Sequence, residues 1–123
     1  MKRLESQEDY LEKILQISLV KENVHAIDIV REMNFSKPSV SVAMAKLKDE
    51  GYIEINKKGE ISLTFSGREI AEKTLEKHTI LTKMLEFLGV SKDVAASDAC
   101  RMEHDISDET WAAIKRYYDK SQK

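Results

Sequence analysis

Cys100, Glu103 and His104 stand at offsets of zero, three and four in the pentapeptide Cys100-Arg101-Met102-Glu103-His104. On an α-helix, with about 3.6 residues per turn, these three side chains fall on one face. A soft thiol, a borderline imidazole and a hard carboxylate together suit a first-row transition ion such as Fe(II), Mn(II) or Zn(II). Near the N-terminus Asp9 and Glu12 repeat the i, i+3 relation, and His78 adds an imidazole in a long helical stretch. Taken singly, these residues have plainer explanations. A lone Cys on an amphipathic helix is usually a small core hydrophobe, and a carboxylate pair near a helix start is favoured by the dipole. A carboxylate and an imidazole beside that Cys, however, do not share a buried face unless something pairs with them. The joint occurrence of Asp9, Glu12, His78, Cys100, Glu103 and His104 therefore points to a metal site. His25 has no partner at ligand spacing and reads as a loop residue.

The elements that must position these groups are mostly helical. From about Gln7 to Val20, Tyr10, Leu11, Ile14, Leu15 and Leu19 have helical spacing, with Ser6 as the expected N-cap and Glu8 and Asp9 in the first turn. A short helix from about Ala26 to Met33 is expected to turn Ile27, Val30 and Met33 inward, with Ile29 beside them. Asp28, Arg31 and Glu32 are expected on its solvated side. After a turn at Asn34-Phe35, Ser36 can cap a helix from Lys37 to Glu50 that buries Val40, Met44 and Leu47 and stops at Gly51. Pro38 is tolerated in its first turn. Tyr52–Ile55 and Glu60–Leu63 alternate like strands, joined by a turn at Asn56-Lys57-Lys58-Gly59. Ser66-Gly67-Arg68-Glu69 matches a capping box. It opens a long helix whose apolar surface is Ile70, Leu75, Ile80, Leu81, Met84, Leu85 and Leu88, ending at Gly89. Ser91 starts a helix carrying Val94, Ala95, Cys100 and Met102, and Ser107 caps a last one with Trp111, Ile114 and Tyr118.

Helix, turn, helix and two-stranded hairpin is the order of a winged helix-turn-helix. The expected fold is mainly α with a small β-hairpin wing. It divides into a winged helix-turn-helix DNA-binding domain over 1–65 and a helical metal-binding and dimerisation domain over 66–123. With Val40, Met44 and Leu47 inward, Ser36, Lys37, Pro38, Ser39, Ser41, Val42 and Lys46 are available to a DNA groove. Hydroxyls can bond to phosphates or base edges, and Val42 can meet a thymine methyl. Lys57 and Lys58 at the hairpin tip suit phosphate contacts, which give affinity without sequence information. No Arg projects from the exposed helix face for bidentate guanine contact, which leaves a larger share of recognition to shape and spacing. The other use of such a module is protein contact.

The 123 residues carry a formal net charge of −2, with 34% charged and 41% hydrophobic residues. That composition is ordinary for a soluble, helix-rich protein. The slight acidity does not exclude DNA, because Lys37, Lys46, Lys48, Lys57 and Lys58 gather in the two DNA-facing elements while the acids gather elsewhere. No apolar run reaches the roughly 20 residues that span a bilayer, and the N-terminus lacks the apolar core of a signal peptide. A cytoplasmic protein without membrane association is expected. The single cysteine excludes an internal disulfide.

Several segments together resemble the diphtheria-toxin-repressor family, which includes the manganese-transport regulators. They are Glu8-Asp9-Tyr10-Leu11-Glu12, Ser36-Lys37-Pro38-Ser39-Val40-Ser41, Leu63-Thr64 with Gly67, and the Cys100 pentapeptide. The resemblance covers nearly the whole chain. It implies a homodimer, joined through the C-terminal helices, that binds a double-stranded DNA operator when loaded with metal and represses metal-uptake genes. It is not expected to be an enzyme. By resemblance, Asp9, Glu12 and His78 look like ligands of the manganese branch, and Glu103 and His104 like ligands shared across the family. Cys100 departs from the manganese branch, which has a carboxylate there, and looks like the iron-responsive branch. The iron branch in turn tends to have Met where this chain has Asp9. A histidine like His78 serves an ancillary site in that branch, yet Thr82 and Ala96 stand where its carboxylate and second histidine are expected. The implied cofactor is thus Mn(II) or Fe(II), with other first-row ions able to bind in vitro. The chain is expected to be a short form, ending before the SH3-like domain of many iron regulators. Two other readings stay open: a winged-helix regulator of an organic ligand with the polar cluster structural, and a small metallohydrolase, for which no general base is evident.

Overall fold

The computed structural model describes residues 5–122. Its elements are α1 (Glu5–Ser18), α2 (Ala26–Met33), α3 (Lys37–Asp49), β1 (Ile53–Ile55), β2 (Ile61–Leu63), α4 (Phe65–Phe87), α5 (Lys92–Asp105) and α6 (Asp108–Ser121). The first of two compact units runs to Lys73 and the second begins at Thr74, so α4 contributes to both.

In the first unit α2 packs on α3, α1 on α2 and β2, and α3 on β1. Its core is Leu11, Ile14 and Leu15 of α1, Ile29 of α2, Val40, Met44 and Leu47 of α3, and Ile53 and Ile61 of the strands, all buried. β1 and β2 pair antiparallel with Ile53 opposite Leu63 and Ile55 opposite Ile61. Each strand is one residue shorter at its start than the alternation predicts. A contact not legible in the pattern braces the hairpin: the Ile61 amide donates to the Val24 carbonyl at 2.7 Å, a single antiparallel bridge. At the hairpin tip, the Asn56 side-chain carbonyl accepts from the backbone amides of Lys58 and Glu60, both at 2.9 Å. Gly59 takes φ of 79°, a left-handed conformation that favours glycine.

Four further local expectations are corrected in the first unit. Ser6 lies inside α1, so that helix starts earlier than the expected cap. Leu19 lies beyond the helix end and is exposed, and Ile17 is buried on the inward face instead. In α2 the inward phase is set by Ile29, while Ile27 is exposed and Asp28 is buried. Asp28 turns in because it serves the helix start: its carboxylate accepts the His25 backbone amide at 2.9 Å and the Lys21 ammonium at 2.7 Å. The last correction concerns α4, whose cap is Thr64 and not Ser66. The Thr64 hydroxyl accepts from the Gly67 amide at 3.2 Å and donates to the Gly51 carbonyl at 2.7 Å. Ser66 is already helical.

Burial works against the charge of Asp28, but the bond from Lys21, the His25 amide and the charges of Lys21 and Arg31 outweigh it, holding the carboxyl below its usual range. A depressed carboxylate pKa contributes stability above the unfolded value of about 3.9 and loses it as pH falls through the folded value. Asp28→Asn is therefore expected to be less stable than wild type at pH 7. Its stability should also fall less steeply between about pH 5 and pH 2, as read by urea unfolding across that range. Parallel pH profiles for the two proteins would contradict this account.

The second unit combines the later part of α4 with α5 and α6. Ile80 and Leu81 of α4, Ala95 and Ala99 of α5 and Trp111 of α6 are buried. Lys115 donates to Glu76 at 2.8 Å, and the Lys77 ammonium lies 6.0 Å from the centre of the Trp111 ring. Ser107 caps α6 by accepting from the Thr110 amide at 3.1 Å. Leu88, expected on the apolar surface of α4, lies past its end and is exposed, as is Phe87. Gly89 reverses the chain there with φ of 104°.

Candidate metal centre and nucleic-acid interface

The buried face of α5 is Ala95, Ala99 and Glu103, one residue every four. Two alanines leave little bulk on this face, and Glu103 extends the same stripe into the interior. Its side chain is 0% exposed. The carboxylate oxygen Oε1 lies 3.5 Å from Nδ1 of His78 on α4 and 4.0 Å from Nε2 of His104 on α5. The His104 side chain is 3% exposed. One donor atom each from Cys100, Glu103 and His104 lies within 4.8 Å of the others, and the same holds for His78 with Glu103. Cys100 itself is exposed at the outer side of this group.

The second unit thus brings together four of the six residues proposed from the sequence: His78, Cys100, Glu103 and His104. The offsets of three and four predicted the shared face of α5. The closeness of His78 depends on tertiary packing that no local pattern encodes. Asp9 and Glu12 lie in the first unit on α1, three residues apart; Asp9 is half-buried and Glu12 buried.

The donor set fits a divalent transition ion. A carboxylate in a dry interior is costly unless positive charge accompanies it. Thiol, imidazole and carboxylate, with donor atoms within 4.8 Å of one another, are the groups that supply S, N and O ligands. Asp98, earlier on α5, is instead engaged by Arg101 at 2.9 Å.

The DNA-facing residues lie in the first unit. Ser36 caps α3 by accepting from the Ser39 amide at 3.2 Å. Ser36, Lys37, Pro38, Ser39, Ser41, Val42 and Lys46 are all exposed, as are Lys57 and Lys58 at the hairpin tip. Val42 is 70% exposed. Ala45 on the same face was not singled out from sequence; alanine is indifferent to burial and carries no chemical signal. Its exposure follows only once the phase of α3 is fixed by Val40, Met44 and Leu47.

Comparison with known proteins gives a consistent picture. Two family models match, the iron dependent repressor N-terminal DNA binding domain over residues 3–61 and the iron dependent repressor metal binding and dimerisation domain over 64–123. The chain is 35% identical over 120 residues to an uncharacterised HTH-type transcriptional regulator of Methanocaldococcus jannaschii, covering 94% of each. It is 31% identical over 118 residues to the transcriptional regulator MntR of Escherichia coli, covering 96% of this chain and 76% of that one. Among solved structures, a manganese-dependent transcriptional repressor in complex with manganese superposes with a TM-score of 0.83 at 26% identity, covering 92% of this chain and 52% of that one. T. acidophilum IdeR gives 0.78 at 26% identity, covering 91% and 53%. The chain spans about half the length of these solved structures. No helix among the described residues is long and apolar enough to cross a membrane.

Proposed function

The chain belongs to the iron-dependent repressor family, and from that premise we propose that it is a metal-dependent transcriptional repressor, active as a homodimer on operator DNA of metal-uptake genes. The observation that carries the reading is Glu103, a fully buried carboxylate flanked by His78 and His104, in a chain that also presents a winged helix with exposed lysines. The division of labour is 1–65 for DNA and 66–123 for metal and dimerisation. A cytoplasmic location goes with DNA binding. None of these roles is catalytic.

The proposed ligands are Asp9, Glu12, His78, Cys100, Glu103 and His104, and the proposed ion is Mn(II) or Fe(II). When bound, such an ion supplies charge neutralisation and a cross-link among its donors. The residues of the chain do the rest. Glu103 brings a carboxyl group into the interior, the two imidazoles lie beside it, and Cys100 offers sulfur from the exposed side. On α3, the Ser36 cap fixes the first turn, so that Lys37 and Lys46 can meet phosphates while Ser41 and Val42 reach base edges. Dimerisation is supported by Phe87, Leu88 and Tyr117, exposed in the second unit, which line one cavity with Met84 and Tyr118.

The test is DNA binding by the dialysed full-length chain under anaerobic conditions with Mn(II), Fe(II) or chelator, using duplexes selected from a random pool, with elemental analysis alongside. Stoichiometric metal and binding abolished by chelator are expected. Equal affinity with and without metal would overturn the reading. For the wing, replacing Lys57 and Lys58 together by alanine should weaken binding to all duplexes alike. It should also reduce the slope of log K against log salt by about 0.9 for each phosphate no longer neutralised. An unchanged slope would remove the wing tip from the interface.

A further inference from the structure

The outward face of α3 carries an apolar patch, Val42 and Ala45, among its exposed polar residues. At about 100° per residue, Val42 lies roughly 200° and Ala45 roughly 140° around the axis from buried Val40. Val42 is 70% exposed, and Ala45 is exposed one turn further on. Neither can donate or accept a hydrogen bond, so neither can read a purine edge. Ser41 and Lys46 border them, with a hydroxyl and a cation suited to the adjoining backbone. An aliphatic side chain held out from a major-groove helix has one complementary feature on unmodified DNA, the C5-methyl of thymine.

We propose that Val42, with Ala45 beside it, is a specificity-determining residue that selects thymine through its 5-methyl group in each operator half-site. This rests on the DNA-binding reading above and adds to it the base that is read and the atom that is sensed. Removing that methyl forfeits the burial of about one carbon, or about fourfold in affinity.

The experiment uses the metal-loaded full-length chain on a duplex selected from a random pool. Each thymine is replaced singly by deoxyuridine, which removes the methyl and leaves base pairing intact, and affinity is read by fluorescence anisotropy. At one or two thymines per half-site, deoxyuridine should weaken wild-type binding by about fourfold. Val42→Ala, a change at an exposed position, should lose most of that discrimination, its affinities for the thymine and deoxyuridine duplexes converging, while keeping its melting temperature. Wild type indifferent to every replacement would overturn the inference and leave DNA binding standing, as would Val42→Ala with the full deoxyuridine penalty. If metal-loaded protein selects no duplex at all, the DNA-binding reading fails and this inference with it.

Discussion

His104→Ala is expected to weaken divalent-ion binding by about 100-fold or more, since even the loss of a residue supporting a ligand costs 10- to 100-fold. Metal-dependent DNA binding should disappear with it. His104 stands one residue after Glu103 on α5, its Nε2 4.0 Å from the Glu103 carboxylate and its side chain 3% exposed. If His104 is a ligand as proposed, removing the imidazole takes away a nitrogen donor at a side chain only 3% exposed, where water does not readily replace it. Ion titration by calorimetry and anisotropy with a selected duplex together give the measurement. A circular-dichroism melt in chelator should show the variant folded, which separates loss of a ligand from loss of structure. A His104→Ala protein that still binds DNA only when metal is present would take His104 out of the ligand set.

Gly67→Ala is expected to have the largest effect on stability. A Cβ on Gly67 would lie 1.9 Å from the Tyr52 carbonyl oxygen and 2.9 Å from its carbonyl carbon. Both are backbone atoms, so no rotamer change relieves the clash. The same Tyr52 carbonyl accepts the Thr64 amide at 3.0 Å, which ties the entrance of β1 to the start of α4. The start of α4 must therefore lift away from the wing, or this bond must break. Overpacking of this kind costs about 3 kcal/mol or more, although alanine is the better helix former by roughly 1 kcal/mol. Urea unfolding measures the difference, and a Gly67→Ala protein as stable as wild type would refute the close approach.

The architecture and the shared face of Cys100, Glu103 and His104 on α5 are legible in the sequence because both follow from short-range periodicity. Offsets of three and four bring Cys100, Glu103 and His104 to one side of a helix wherever that helix goes. Val40, Met44 and Leu47 likewise fix which side of α3 faces out. Local pattern misleads where a tertiary contact chooses between two locally equivalent residues. Ile27 and Ile29 are equally apolar, and only packing on α1 and α3 selects Ile29. Asp28 reads as a solvated acid until the His25 amide and Lys21 claim it. Ser66 and Thr64 are both competent caps, and Thr64 is the one because its hydroxyl accepts the Gly67 amide while Ser66 is already inside the helix. Gly67 had a capping-box pattern around it, but its real constraint is the backbone of Tyr52, distant in sequence. His78 next to Glu103 is of the same kind, a pairing of two helices that neither helix announces.

The bare stripe of α5 bears on how much of this protein is folded at a given moment. With Ala95 and Ala99 as its buried apolar groups, the helix gains little from leaving water, since an alanine offers one methyl where a leucine offers a branched chain. Helices anchored so lightly open at low free energy, well below the cost of unfolding the whole domain. An ion that binds only the closed arrangement adds RT ln(1 + [ion]/Kd), about 2.7 kcal/mol at 100 times Kd. With the proposed ligands on α5, its ordered fraction should rise with free metal concentration, and amide exchange along 92–105 should slow as metal is added.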